Sequence, residues 1–226
     1  KIEPPGGQET RKVGPYLNDE DHLERSLYFW HYNTSKRGVT LDITTPEGQE
    51  ILKKLAATAG LVLESFPAGY LPSIGLGYED LSAINPSLIM CSVTPFGQDG
   101  PWRDYQTSDL LHLAAGGQMA SSGYDVEDIP DAPPIAPGGG NSWHIASHYA
   151  YIGIMGALYH RDFTGEGQYI DVSAHEACSL TTEGAIAIYL STGDVVRRHS
   201  GRHASVDMSP GIQHATNDGG FINTTR

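Results

Sequence analysis

Gly138-Gly-Gly-Asn-Ser-Trp143, then a long apolar run, then Thr164-Gly-Glu-Gly-Gln-Tyr-Ile-Asp-Val172 is the stretch whose reading decides the fold. It reads as a glycine turn, a buried helix, a tight turn and a strand. Glycines at 138–140 open backbone conformations closed to other residues. Asn141 or Ser142 suits the cap of the following helix. Ile145, Tyr149, Ile152 and Gly156 recur at helical spacing and predict one buried face. Gly153 and Gly156 predict close approach of another backbone. Gly165 and Gly167 end the helix, and Tyr169-Ile-Asp-Val reads as a strand. A glycine loop entering a helix start also offers free N–H groups to an anion.

Strand and helix alternate upstream of this stretch. Residues 1–35 are polar and loop-like, with an aromatic cluster at Tyr28, Phe29, Trp30 and Tyr32 that packs under a loop. Gly38-Val-Thr-Leu-Asp-Ile reads as a strand. Thr45-Pro-Glu opens a helix with a cap, a proline and an acid in its first turn. Ile51, Leu52, Leu55 and Ala59 form its predicted buried face, and Gly60 ends it. Leu61-Val-Leu-Glu is a buried, parallel-type strand. Short helices follow near Tyr70–Ile74 and Tyr78–Ile84, then the strand Ser87-Leu-Ile-Met-Cys-Ser-Val. The class is therefore α/β with a parallel sheet. The turn-rich loop Pro95-Phe-Gly-Gln-Asp-Gly-Pro-Trp follows a parallel strand, where α/β proteins bind ligands. Helices are expected over Asp109–Met119 and about Ala174–Leu190. Residues 191–212 read as a linker and 213–226 as the start of a second domain.

The chain has 226 residues and a net charge of −13, which disfavours a nucleic-acid partner. The cluster Arg197-Arg198-His199 is too small to reverse that. Two distant cysteines, Cys91 and Cys178, suggest no disulfide framework and point to a reducing cytoplasm. No apolar run reaches the roughly 18 residues of a membrane span, and no signal peptide is apparent. A start at Lys1 and a stop after Asn223-Thr-Thr-Arg read as a partial chain.

Motifs spread along the chain stand in a recognisable order. They are Ile2-Glu-Pro-Pro-Gly-Gly, Lys36-Arg-Gly-Val-Thr-Leu-Asp, Thr45-Pro-Glu-Gly, Glu64-Ser-Phe-Pro-Ala-Gly and Ile74-Gly-Leu-Gly-Tyr-Glu-Asp-Leu. Then come Ile84-Asn-Pro-Ser-Leu-Ile, Phe96-Gly-Gln-Asp-Gly-Pro, Ile152-Gly-Ile and Thr164-Gly-Glu-Gly-Gln-Tyr-Ile-Asp-Val. Together they resemble the family III CoA-transferases, also called the CaiB/BaiF or formyl-CoA transferase family. The resemblance covers about residues 1–190, with a fainter match at Asp218-Gly219. It implies a Rossmann-like large domain, here 1–190 without its first strand and helix, and a smaller second domain. It also implies an interlocked dimer, coenzyme A as a substrate carried on an acyl-CoA, a carboxylic acid as the second substrate, and no metal.

The resemblance further implies an aspartate at the start of the long helix that attacks the donor thioester. Such a carboxylate splits one hard acyl exchange into easier covalent steps. Counting back from Ile152-Gly-Ile, that position holds Trp143, whose indole is no acyl acceptor. No carboxylate lies between Asp131 and Asp162. Racemases of the same superfamily pair a histidine with the later aspartate, but here Ser108 precedes Asp109. The remaining catalytic candidates are His144, a base at the helix start where the dipole favours a neutral ring, and Asp109. Leu41 and Phe66 match positions that line the nucleotide pocket in relatives, and Lys36 and Arg37 match cations of the pattern. Ser65, Thr44 and Ser73 stand where relatives use asparagine, lysine and arginine, which weakens contact with CoA phosphates.

Three readings follow. One is an acyl-CoA enzyme, either a CoA-transferase or a protein of altered chemistry. The second is a silent CoA-binding subunit of a heteromeric transferase, a heterodimer rather than a homodimer. The third treats His144 and His148, four apart on one helix, as metal ligands lacking an identified third.

Overall fold

The computed structural model describes residues 1–125, 127–200, 204–207 and 213–224. The chain forms two compact units, residues 1–60 with 71–86, and residues 61–70 with 87–226.

In the first unit, β1 (Ile2–Glu3) pairs in parallel with β2 (Val39–Thr40). Between them lies a helix where a loop was expected: α1 (Leu27–Asn33). Ser26 caps it, its hydroxyl oxygen accepting from the Phe29 amide at 3.0 Å. Phe29 is buried, whereas Tyr28, Trp30 and Tyr32 point outward. Phe29 is also flanked by cations, with Arg11 3.8 Å and Lys1 4.7 Å from the ring centre.

α2 (Pro46–Ala56) starts as the sequence predicts, with Thr45 Oγ1 accepting from the Gly48 amide at 3.1 Å. Its buried face differs from the prediction. Gly48, Leu52 and Ala56 are buried at four-residue spacing, while Ile51 and Leu55 are exposed. α4 (Tyr78–Ser82) completes this unit, and α3 (Tyr70–Ser73) precedes it. Leu71, Leu76 and Leu81 are buried.

The second unit is built on a three-stranded sheet of order β3–β4–β5: Leu61–Glu64, Ile89–Thr94 and Tyr169–Ser173. Both pairings are parallel, as the α/β reading requires. The central strand carries the apolar run, and Leu88 to Cys91 are buried. α5 (Asp109–Ala115) and α6 (Asn141–Thr164) connect β4 to β5. α5 is shorter than expected because Gly116 and Gly117 stop it before Met119.

α6 lies against β4 and β5 and meets α5 and α7 (Ala174–Leu180). Its fully buried residues are Ser142, Ala146, Ala150 and Ala157; of the predicted face, Ile145 and Tyr149 are half-buried, whereas Ile152 and Gly156 are exposed. Small side chains let a helix approach a sheet closely, so the inner ridge is narrow. The expected close approach of another backbone at Gly153 and Gly156 does not occur: a Cβ at Gly153 would meet the Ile170 side chain at 3.2 Å, and around Gly156 nothing comes within 4 Å. Cys91, Ala150 and Val172 form the packed centre, with Leu61, Val93, Tyr149, Ile154 and Ile170 around them. After α6, Gly167 runs against β4 so tightly that a Cβ would sit 2.0 Å from the Leu88 carbonyl oxygen. No other residue fits there.

The predicted helix over 174–190 is two helices, α7 and α8 (Glu183–Thr192). Between them the Thr181 and Thr182 hydroxyls donate to Cys178 O at 2.7 Å and Gly116 O at 3.0 Å, which favours a turn. β6 (Gln213–Ala215) and β7 (Phe221–Asn223) pair antiparallel. Of the predicted linker, residues 201–203 and 208–212 lie outside the described residues. Cys91 and Cys178 are buried free thiols.

Candidate active site

The start of α6 is held by α5. Asp109 Oδ1 accepts from the Ser142 amide at 2.8 Å and from the Ser142 hydroxyl at 2.6 Å. α5 is itself capped by Ser108, whose oxygen accepts from the Leu111 amide at 3.2 Å. Thus Asp109, predicted as a catalytic candidate, does reach the helix start where Trp143 sits, but its carboxylate is engaged in holding that start.

Trp143 is 40% exposed and packs edge-on against His112, with ring centres 5.2 Å apart and planes at 82°. His112 is fully buried. Its Nε2 lies 2.7 Å from Thr107 Oγ1, and its Nδ1 has no hydrogen-bond partner. Phe96 stands between His112 and His175, at 5.2 and 5.7 Å from them. Trp102 closes on His175 at 5.2 Å. Burial lowers the His112 pKa, the His175 ring adds to that, and the Asp109 charge opposes it. Burial thus favours the neutral form of the imidazole that packs against the Trp143 indole.

His144 is exposed on α6, and its carbonyl oxygen lies 2.7 Å from His148 Nδ1. One ring nitrogen of His148 is therefore engaged within the helix. Among the described residues no group of three His, Cys, Asp or Glu side chains is placed to hold a metal ion.

A second cluster lies at the carboxyl end of the sheet. Glu64, Ser92 and Asp171 are register partners on β3, β4 and β5. The Tyr169 hydroxyl donates to Ser92 Oγ at 3.0 Å, and Ser92 hydrogen-bonds Glu64. Burial pushes the Glu64 carboxyl up, against the Ser92 and Phe66 hydrogen bonds, and the Asp171 charge adds to the rise. Burial also raises Asp171, against the hydrogen bond from the Gln98 amide. Phe66 follows β3 with its ring exposed and 5.2 Å from Tyr70.

The other predicted CoA contacts belong to the first unit. Leu41 is half-buried and its amide donates to Glu3 O at 2.9 Å. Lys36 and Arg37 are exposed. Lys36 Nζ donates to Tyr32 O at 2.8 Å and to Asn33 Oδ1 at 3.1 Å, at the end of α1.

Sequence reasoning missed His112, His175 and the row of Glu64, Ser92 and Asp171. His112 lies three residues after Asp109 on one helix, a spacing that was legible. The others meet only through strand register.

The family model of CoA-transferase family III matches residues 1–225. The chain belongs to this family. A family III relative, the succinyl-CoA:(R)-benzylsuccinate CoA-transferase subunit BbsE of Thauera aromatica, is 37% identical over 203 residues, 90% of this chain and 48% of that protein. The succinyl-CoA–D-citramalate CoA-transferase of Chloroflexus aurantiacus is 35% identical, over 98% of this chain and 53% of its own length. The crystal structure of a CAIB/BAIF family protein from Brucella suis superposes with a TM-score of 0.82 at 34% identity, covering 97% of this chain and 56% of that one. The chain spans about half the length of the curated relatives it matches.

Proposed function

We propose that the chain is part of a CoA-transferase that takes CoA from an acyl-CoA thioester and passes it to a carboxylic acid. The observation that carries this is the family III match over nearly the whole chain, with relatives named as CoA-transferases of organic acids. In such an exchange the donor's C–S bond and one C–O bond of the acceptor carboxylate break; the acceptor's carbonyl carbon takes the CoA sulfur, and the oxygen it gives up ends on the donor acyl carbon, which leaves as the free acid. Leu41, Phe66, Lys36 and Arg37 are CoA contacts in this reading, as their match to the family pattern implies. Trp143 removes the family's acyl-accepting carboxylate. His144 then serves as a base at the helix start, and Asp109 fixes that start. The domains run over 1–190 and from 213 onward, joined by 191–212, and the protein works in the cytoplasm.

A homodimer of interlocked chains is the proposed assembly. Its support is the outer face of α6, where Tyr151, Ile152, Met155, Tyr159 and Phe163 are exposed. That face has the composition of a surface meant to be covered.

Trp143 favours a second reading, a silent subunit that binds CoA beside an active chain carrying the aspartate. Some relatives are named as subunits, BbsE and a succinyl-CoA–L-malate CoA-transferase beta subunit among them. One experiment separates the readings. The full-length protein is incubated with succinyl-CoA and a panel of mono- and dicarboxylic acids, and new thioesters are resolved by chromatography. New thioester supports the transferase. CoA binding without turnover, with activity on adding an aspartate-bearing relative, supports the silent subunit. No CoA binding in either format overturns both.

A further inference from the structure

The loop 65–69 is fastened at three backbone points, and its fasteners come from other elements of the same unit. The Phe66 amide donates to Glu64 Oε2 at 2.7 Å. The Gly69 amide donates to Gln98 Oε1 at 2.9 Å, and the Gln98 amide in turn donates to Asp171 Oδ2 at 2.8 Å. Arg103 Nη2 donates to Ala68 O at 3.0 Å. Glu64 and Asp171 stand on either side of Ser92 in strand register, so all three share a sheet face. The Tyr169 hydroxyl ties Ser92 into the same lattice at 3.0 Å. Both ends of the loop are thus rooted in carboxylates of one rigid sheet.

While the backbone is held, the side chains of Ser65, Phe66 and Pro67 remain exposed. At Gly69, with φ +76°, a Cβ would lie 2.2 Å from Arg103 Nη2, so the guanidinium occupies the space a side chain would need. The Asp171 contact also passes close to Gly97, whose added Cβ would lie 3.5 Å from Asp171 Oδ2. A loop ordered before ligand arrives loses little conformational entropy on binding.

We propose that Glu64, Gln98 and Asp171 are positioning residues that hold the 65–69 loop ordered, so that Phe66 meets the ligand without prior ordering. The ligand part of this rests on the CoA reading above; the bracing part does not. Gln98 is the informative position, because it is half-buried, touches no proposed ligand and links both loops.

The test uses the full-length protein without ligand first. Hydrogen–deuterium exchange of the 65–70 amides is compared in wild type, Gln98→Ala and Gln98→Glu. Losing one hydrogen bond should speed exchange at Gly69 by about tenfold in Gln98→Ala. Gln98→Glu keeps the acceptor oxygen and should restore protection, with β3–β5 amides unchanged throughout. CoA itself is then titrated by calorimetry, and turnover is measured with succinyl-CoA. Gln98→Ala should weaken CoA affinity and raise KM severalfold with kcat unchanged, and Gln98→Glu should recover both. Unchanged exchange at 65–70 in Gln98→Ala overturns the brace. Faster exchange with unaltered CoA affinity overturns its role in binding. A wild type that binds no CoA overturns the functional reading instead, and the exchange result still decides the brace.

Discussion

Asp109 and Ser142 are joined twice, through the Ser142 amide at 2.8 Å and its hydroxyl at 2.6 Å, both onto Oδ1. This bond pair fixes where α6 begins relative to α5. Asp109→Ala should cost about 1–2 kcal/mol of stability, the usual loss for a helix cap. Asp109→Asn keeps an acceptor oxygen and should lose less. Urea unfolding of both variants checks the order, and an equal loss in the two would contradict it.

Trp143→Asp places a carboxylate at the first turn of α6, where the helix dipole favours negative charge. The lost edge-on contact with His112 should cost about 0.5–1.5 kcal/mol. Turnover of succinyl-CoA with an acid acceptor should rise above wild type. A covalent acyl or CoA adduct on residue 143 should appear by mass spectrometry. A variant that folds, binds CoA and shows neither would count against residue 143 as the position of an acyl-accepting carboxylate.

His112 gives the fold an acid-sensitive contribution. Its folded pKa lies below the ordinary 6.5, through burial first and His175 second, with Asp109 opposing. Above 6.5 both folded and unfolded forms are neutral and the contribution is complete. As the pH falls below 6.5 the unfolded chain takes up the proton first, and stability drops until the lowered folded value is passed. His112→Phe should flatten that limb below pH 6.5 in thermal melts. Parallel curves for wild type and variant would show that the ring does not resist protonation.

Cys91 and Cys178 both have pKa values pushed up to about 11, mainly by burial, with the Glu64 and Asp109 charges next in each case. The thiolate is the reactive form. A disulfide reagent at pH 8 should therefore label the unfolded chain quickly and the native protein only at its unfolding rate. Between about 9 and 11 the unfolded thiols ionise first, so stability should fall across that window. Rapid labelling of native protein would show that one cysteine is open.

Local signals were the legible ones. Thr45-Pro-Glu announced α2, and the apolar run Leu88–Cys91 announced the central strand, because caps and runs are written within a few residues. The buried face of α6 was only partly read: Ile145 and Tyr149 do lie toward the core, but Ile152 belongs to the outer ridge, and the alanines that pack inward carry a weak hydrophobic signal. The α7–α8 break was missed because Thr181 and Thr182 act through carbonyls only the folded helix supplies. At the site, Asp109 was found through the family resemblance, while its partner Ser142 was read only as a helix cap. The Glu64–Ser92–Asp171 row could not be read at all, since strand register joins residues that sequence keeps far apart.

α6 is slender where it meets its own sheet and heavy on the reverse side, with Phe163 at 74% exposure. Under the proposed interlocked assembly the partner chain covers that reverse side, so the protein's melting temperature should climb with protein concentration, as mass action requires.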